Sequence, residues 1–527
     1  MQYVFERHWW REAWWAVGLY TVVAFEIAWL FQGGNERLAI AGALLALLGG
    51  LALIRPRAAI VLTFVFLAVL GDFRRVLIPL AGWSSQDPLV LVGPAIAVLL
   101  FGFIVVGRRL RLDTPLSRWI LALMLLMLLQ IFNPEQSSLK VGVVGSLYYL
   151  VPLLWFWIGR SYATPNFVAS LLYKMVVPVA VLAALLGLYQ AFYGLLPFEQ
   201  AWVERVGYAA LSVFGETRPF SFFTSAAEYV HWLAIAIVVL WAGWLRGART
   251  SLRIGLVLFS LLGLALFIGS SRAVVIMVLL TLVVLWALQA RTTIGWLPRL
   301  VLALALVVVG LGWGLSQIPE DEGTGRTEAF VQHQTEGLLN PLDPNKSTAR
   351  THVDMLLGGF TNGITEPLGQ GLGATSAGMA KGSGSGDPSG GNPGSSKGDD
   401  VGGTEVDLSN MFVSLGVAGG IIYTVVIALI LVTAIRYWRS SYTLVALAIL
   451  GVLIVELGQW LNGGHYALSA LCWFLIGALD KFERSRRGTV ENRSRDAQRN
   501  SRVWSGAHKL PDSAGSASRR ESGGLGG

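Results

Sequence analysis

Long apolar runs alternate along this chain with short polar turns, and many of the turns carry arginine. A bilayer core about 30 Å thick takes roughly 20 apolar residues to cross as a helix. On that scale the pattern predicts fourteen helical spans. They fall at about 13–31, 38–54, 58–72, 88–107, 118–133, 141–159, 167–193, 224–245, 252–269, 273–290, 297–315, 410–435, 441–460 and 466–480. Several are short for a full crossing and are expected to tilt or re-enter. Two stretches break the pattern. Ser316–Ser409 is long and polar; Lys381–Gly403 within it has the composition of a flexible linker, while Thr324–Ala374 mixes apolar residues with Pro, Asn and Gly and is expected to be ordered. Beyond Phe482 the chain is rich in Ser, Arg and Gly without apolar periodicity, and disorder is expected.

The expected architecture is an all-α polytopic membrane protein. Membrane helices occupy 1–204 and 205–315, a long external loop follows over 316–409, C-terminal membrane helices cover 410–482, and a basic tail covers 483–527. Composition agrees: 54% of the 527 residues are hydrophobic and 14% charged, against about 25% charged in soluble domains. The single cysteine, Cys472, excludes a disulfide framework and a cysteine metal site.

Charge sets the expected orientation. With the N-terminus in the cytoplasm, the inner loops hold sixteen Arg and the short outer loops seven Lys or Arg, the bias expected of a membrane protein. An even number of spans returns the C-terminus to the same side. The first span follows Arg7 and Arg11 without a small-residue cleavage site, so an uncleaved helix is expected. The loop 316–409 falls outside, with thirteen acidic and five basic residues.

The sequence has no Walker A loop, dinucleotide fingerprint, HExxH motif or histidine cluster with metal spacing. The six histidines, His8, His231, His333, His352, His465 and His508, are scattered. No metal, cofactor or nucleic-acid partner is expected. Arginine on the outer side is the unusual feature. Arg218 precedes a span in GETRPFSFFTSAAEY, Arg272 lies in the tight turn GSSRAVV, and Arg350 lies in STARTHVDM of the long loop. Each alone has an ordinary explanation: a snorkelling side chain, a hairpin cap, a solvated loop charge. Together on one face they suit a diphosphate, which guanidinium grips through two parallel hydrogen bonds. Glu228, ten residues after Arg218, is a further candidate as an ionisable residue within a span. The GQGLG stretch, 369–373, follows no strand and is expected to be a close-packed turn rather than a nucleotide loop.

Four segments in this order resemble the bacterial O-antigen ligase and O-antigen polymerase family. They are RPFSFFTSAAEY over 218–229, GSSRA over 269–273, RTHVDMLLGGFTNGITEPLGQGLG over 350–373 and DLSNMFVSLGVAGG over 407–420. The resemblance covers roughly 205–430. It implies a glycosyltransferase of the bacterial inner membrane with both termini cytoplasmic and the long loop periplasmic. The donor would be a glycan on undecaprenyl diphosphate. An acceptor hydroxyl attacks the anomeric carbon and the lipid diphosphate leaves, in O-antigen or exopolysaccharide assembly. By this resemblance Arg272 and Arg350 hold the diphosphate and Arg218 makes a third contact or shapes the entrance. Membrane lipids, the glycan acceptor and polysaccharide assembly proteins are the implied partners.

One position departs from the family. Ligases usually open the helix after the long loop with His-Asn, and the His is the expected base; here the pair is Ser409-Asn410. Serine has no useful pKa for that role. Glu405 and Asp407 just upstream, and His352 beside Arg350, are the replacement candidates, carboxylates being plausible for an oxocarbenium-like transfer. The departure leans toward a polymerase or exopolysaccharide enzyme. Competing readings are a transporter or flippase of lipid-linked glycans, which should show an internal repeat and broken mid-membrane helices, and a non-catalytic envelope assembly protein.

Overall fold

A computed structural model describes residues 35–84, 86–136, 138–206, 212–213, 215–247, 252–290, 293–316, 325–339, 349–375, 406–459, 461 and 466–507. The described elements are helical apart from one two-stranded ribbon. In chain order they are α1 (Glu36–Ile54), α2 (Pro56–Val76), α3 (Val92–Val106), α4 (Pro115–Gln130), α5 (Leu139–Tyr162), α6 (Pro165–Tyr193) and α7 (Pro197–Val206). The ribbon follows, β1 (Ser212–Val213) against β2 (Glu216–Thr217), with Ser212 opposite Thr217. Then come α8 (Ala226–Leu245), α9 (Leu252–Ile268), α10 (Arg272–Ala287), α11 (Thr293–Ser316), α12 (Arg326–Leu339), α13 (Ala349–Thr365), α14 (Asp407–Ser441), α15 (Leu444–Glu456) and α16 (Tyr466–Ala507).

Among the described residues seven helices are long and apolar enough to cross a membrane: α1, α2, α3 with the turn before it, α5, α6, α8 and α14. Each expected span from 38–54 onward coincides with a helix, and several, such as α4 and α10, are shorter. The expected span at 13–31 lies outside the described residues.

Local chemistry starts these helices. Thr114, Ser138, Thr164, Ser225 and Thr443 each accept a backbone N–H with the side-chain oxygen at the N-cap of α4, α5, α6, α8 and α15, satisfying a donor that the first turn leaves unpaired. Proline opens α2, α4 and α6, where its missing N–H costs nothing. Helix α6 carries a π-turn at Leu172–Val176 just before Pro178, and the wider turn accommodates a residue that cannot donate to the ladder.

Helix α8 is apolar all round and almost wholly buried, as a central helix must be. It packs against α6, α9, α10 and α15. Helix α14 is broken at Gly416, whose φ of 68° separates Asp407–Leu415 from the rest. The break releases the carbonyls of Val413 and Ser414, which accept from the N–H of Gln370 (2.9 Å) and Gly371 (3.1 Å).

Polar contacts gather at two opposite ends. At one, Arg160 pairs with Asp480 (2.8 Å) and Asp113 (2.6 Å), and Lys481 donates to the carbonyls of Ser161 (3.2 Å) and Ala163 (2.7 Å). At the other, Arg37 and Arg74 both reach Asp87, and Arg75 reaches the segment before α8. The chain divides into two units, 1–482 and 483–527. Residues 483–507, expected to be disordered, are helical. Arg, Glu, Gln and Ala have high helix propensity, and Arg487 pairs with Glu483 one turn away.

Candidate functional site

Two of the three singled-out arginines meet at one end of the bundle, around α12. Arg272 is the first residue of α10. Its Nε donates to the His333 carbonyl (3.0 Å) and its Nη2 to the same oxygen (2.7 Å), while Nη2 also lies 2.9 Å from His333 Nδ1. Gly337, one turn beyond His333, makes room: a β-carbon there would fall on the Arg272 guanidinium. Arg218 Nη2 donates to the Gly269 carbonyl (3.0 Å) at the end of α9. Ser270, in the turn between α9 and α10, is buried with φ of 57°.

His333 is the residue that sequence reasoning passed over as one scattered histidine. Burial, reinforced by the charges of Arg272 and Arg218, pushes its imidazole down to about 4, with Glu336 pulling the other way. The ring is therefore neutral at physiological pH. A guanidinium only donates, so Nδ1 accepts from Arg272 and the proton sits on Nε2. In this arrangement His333 presents an N–H, not a base. Two fixed guanidiniums beside a neutral donor favour an anion with several oxygens, such as a phosphate.

The other candidates lie elsewhere. Arg350 sits on α13 with an exposed side chain, 4.0 Å from Asp354 one turn on, and no hydrogen bond described joins it to the pair at α12. His352 lies on the same helix and is half-buried. Ser409 is fully buried; its hydroxyl donates to the Met355 carbonyl (2.9 Å), and Gly359 of α13 packs directly on it. Asp407 and Asn410 are buried among polar side chains. Tyr149 hydrogen-bonds Asn410 and the hydroxyl of Thr375 (2.8 Å), and Asp407 is an electrostatic neighbour of Tyr149 and Tyr423. Glu405 lies outside the described residues.

Glu228 has a structural task. Its Oε1 accepts from the N–H of Ala467 (2.8 Å) at the first turn of α16, and its Oε2 accepts from Thr224. It caps that helix with a carboxylate, which the helix dipole favours. The GQGLG turn is close-packed as expected. Gly369 (φ 77°) and Gly371 (φ 96°) let it press against Gly416 and Gln136, and Asn133 Nδ2 donates to the Gly369 carbonyl (2.8 Å). Among the described residues no group of three His, Cys, Asp or Glu side chains has the placement to hold a metal.

No protein-family model matches this chain, and no curated protein matches it in sequence.

Proposed function

We propose that the protein is a membrane glycosyltransferase that polymerises or transfers a glycan from an undecaprenyl diphosphate donor to an acceptor hydroxyl on the outer face of a bacterial inner membrane. The observation that carries this reading is the convergence of Arg218 and Arg272 at one end of the bundle around α12. As the acceptor oxygen bonds the anomeric carbon, the bond to phosphate breaks and the electron pair leaves on the diphosphate. Fixed guanidiniums and the His333 Nε2–H, partly shielded from water, stabilise that developing charge. Arg350, on the exposed face of α13, joins them in this reading only if α13 approaches once substrate is bound.

The base in this reading belongs to the Glu405–Asp407 stretch, just upstream of Ser409, which stands where the family has its histidine. Asp407 sits at the start of a helix broken nine residues later, beside Tyr149 and Asn410. Reconstituted protein given lipid-diphosphate glycan and acceptor tests the whole reading. Transfer that falls about a hundredfold in Glu405→Gln or Asp407→Asn identifies the base. Absence of any transfer by protein that binds the donor argues for the flippase reading instead.

A further inference from the structure

Arg75, in the last turn of α2, is only 1% exposed. Its Nη1 donates to Asp72 Oδ1 (3.0 Å) and the Ser221 carbonyl (3.3 Å), and its Nη2 to the Phe223 carbonyl (2.7 Å). The guanidinium carbon stands 4.3 Å from the Trp202 ring centre and 4.1 Å from that of Phe220. Gln190, at the end of α6, holds the same segment from the other side. Its Oε1 accepts from the N–H of Phe220 (3.1 Å) and Ser221 (2.7 Å). Its Nε2 donates to Glu199 Oε1 (2.6 Å) and the Ser221 carbonyl (3.3 Å). Asp72 N–H donates to the Phe222 carbonyl (3.1 Å), and Ser221 takes a φ of 50°.

Apart from the Asp72 N–H, every backbone group named here belongs to 220–223, the stretch that begins two residues after Arg218. Pro219 stiffens the residue between. A buried guanidinium is a costly way to close a turn, since apolar packing would do so without the desolvation penalty. Directional hydrogen bonds give something apolar packing does not, a single backbone register. We propose that Arg75 and Gln190 are positioning residues for Arg218: by clamping 220–223 they fix the backbone from which its guanidinium reaches toward Gly269 and α12. The consequence for catalysis rests on the function proposed above; the clamp itself does not.

The test uses full-length protein in nanodiscs and the variants Gln190→Leu and Arg75→Lys. Gln190→Leu keeps the volume but loses all four hydrogen bonds; Arg75→Lys keeps the charge but cannot span three acceptors. Two readouts need no turnover: amide exchange of 218–225, and phenylglyoxal modification of Arg218 read by mass spectrometry. Faster exchange and a several-fold change in Arg218 reactivity are expected in Gln190→Leu, which alters no charge and is the safer variant for folding. Unchanged exchange and reactivity in folded Gln190→Leu overturns the clamp. In the transfer assay, Gln190→Leu should lower turnover by on the order of a hundredfold and add nothing to Arg218→Ala. Full additivity would mean that Gln190 acts by another route. A wild type without transfer activity overturns the proposed function while exchange and reactivity still decide the clamp.

Discussion

Replacing Gly337 by alanine separates the role of Arg272 from the stability of the fold. The new methyl group lands on the Arg272 guanidinium. Because that atom group is the far end of a flexible side chain, the guanidinium moves and the helix does not. What is lost is its seat on α12: two hydrogen bonds to the His333 carbonyl, at 3.0 and 2.7 Å, and the 2.9 Å contact with Nδ1. Hydrogen bonds from a charged donor are worth about 1.5–3 kcal/mol each when buried, and less here, where the released guanidinium regains water. Alanine within a helix gains about 1 kcal/mol over glycine. The gain offsets part of that reduced loss, so the folded state should lose about 2 kcal/mol at most. Turnover should behave differently. Removing one fixed donor to a developing oxyanion costs about 10²–10³ in rate, equivalent to about 3–4 kcal/mol.

The assay is glycan transfer in proteoliposomes, with thermal unfolding in the same detergent batch as the stability control. Gly358→Ala on α13 is the matched comparison, since a β-carbon there meets nothing within 4 Å. It should keep wild-type turnover with unchanged or slightly raised stability. Wild-type or higher turnover in Gly337→Ala would refute the argument, because the guanidinium position would then not matter.

Three further outcomes follow from the same contacts. Arg218→Ala and Arg272→Lys should each insert and fold yet lose at least tenfold in transfer rate, since lysine lacks the planar fork; full activity in both, measured as polymer or transfer product, would remove the diphosphate role. Glu199 is fully buried and burial raises its carboxyl to about 7 from the ordinary 4.5, so the folded state keeps a proton the unfolded chain loses. Its contribution is complete below about 4.5 and lost as pH rises toward 7, up to about 3 kcal/mol, and melting profiles of Glu199→Gln should lack that slope. Ser409→Ala removes one buried hydrogen bond to Met355 and should cost about 1 kcal/mol with little loss of turnover, whereas Gly359→Ala drives a methyl into Ser409 and should lower the melting temperature more; equal melting for the two would contradict the packing of α13 on α14.

The membrane helices were legible because bilayer thickness imposes a length that shows directly in the sequence. The break at Gly416 was not. A glycine within an apolar run looks like any small residue in a span, and only the approach of Gln370 and Gly371 to the freed carbonyls explains it. His333 escaped for a related reason. A lone histidine in an acidic segment has no spacing signature, and its partner Arg272 lies 61 residues away. Arg350 differs in another way: charge and motif position set it beside Arg272 as a candidate, and α13 carries it exposed beside Asp354.

What the sequence could not weigh is how each outer arginine is held. Arg37 and Arg74 are matched to Asp87, and Arg75 to Asp72. Carboxylates hold these three within their loops, Asp87 being shared by two guanidiniums. Arg218 and Arg272 are seated on the carbonyls of Gly269 and His333. A carbonyl fixes a guanidinium by direction, and the His333 imidazole beside Arg272 is neutral. Glu336, the acidic neighbour of Arg272, offsets part of the pair. Guanidiniums seated on backbone carbonyls at the end of an apolar bundle keep their donors in fixed directions. That geometry suits an anion with several oxygens, such as a diphosphate.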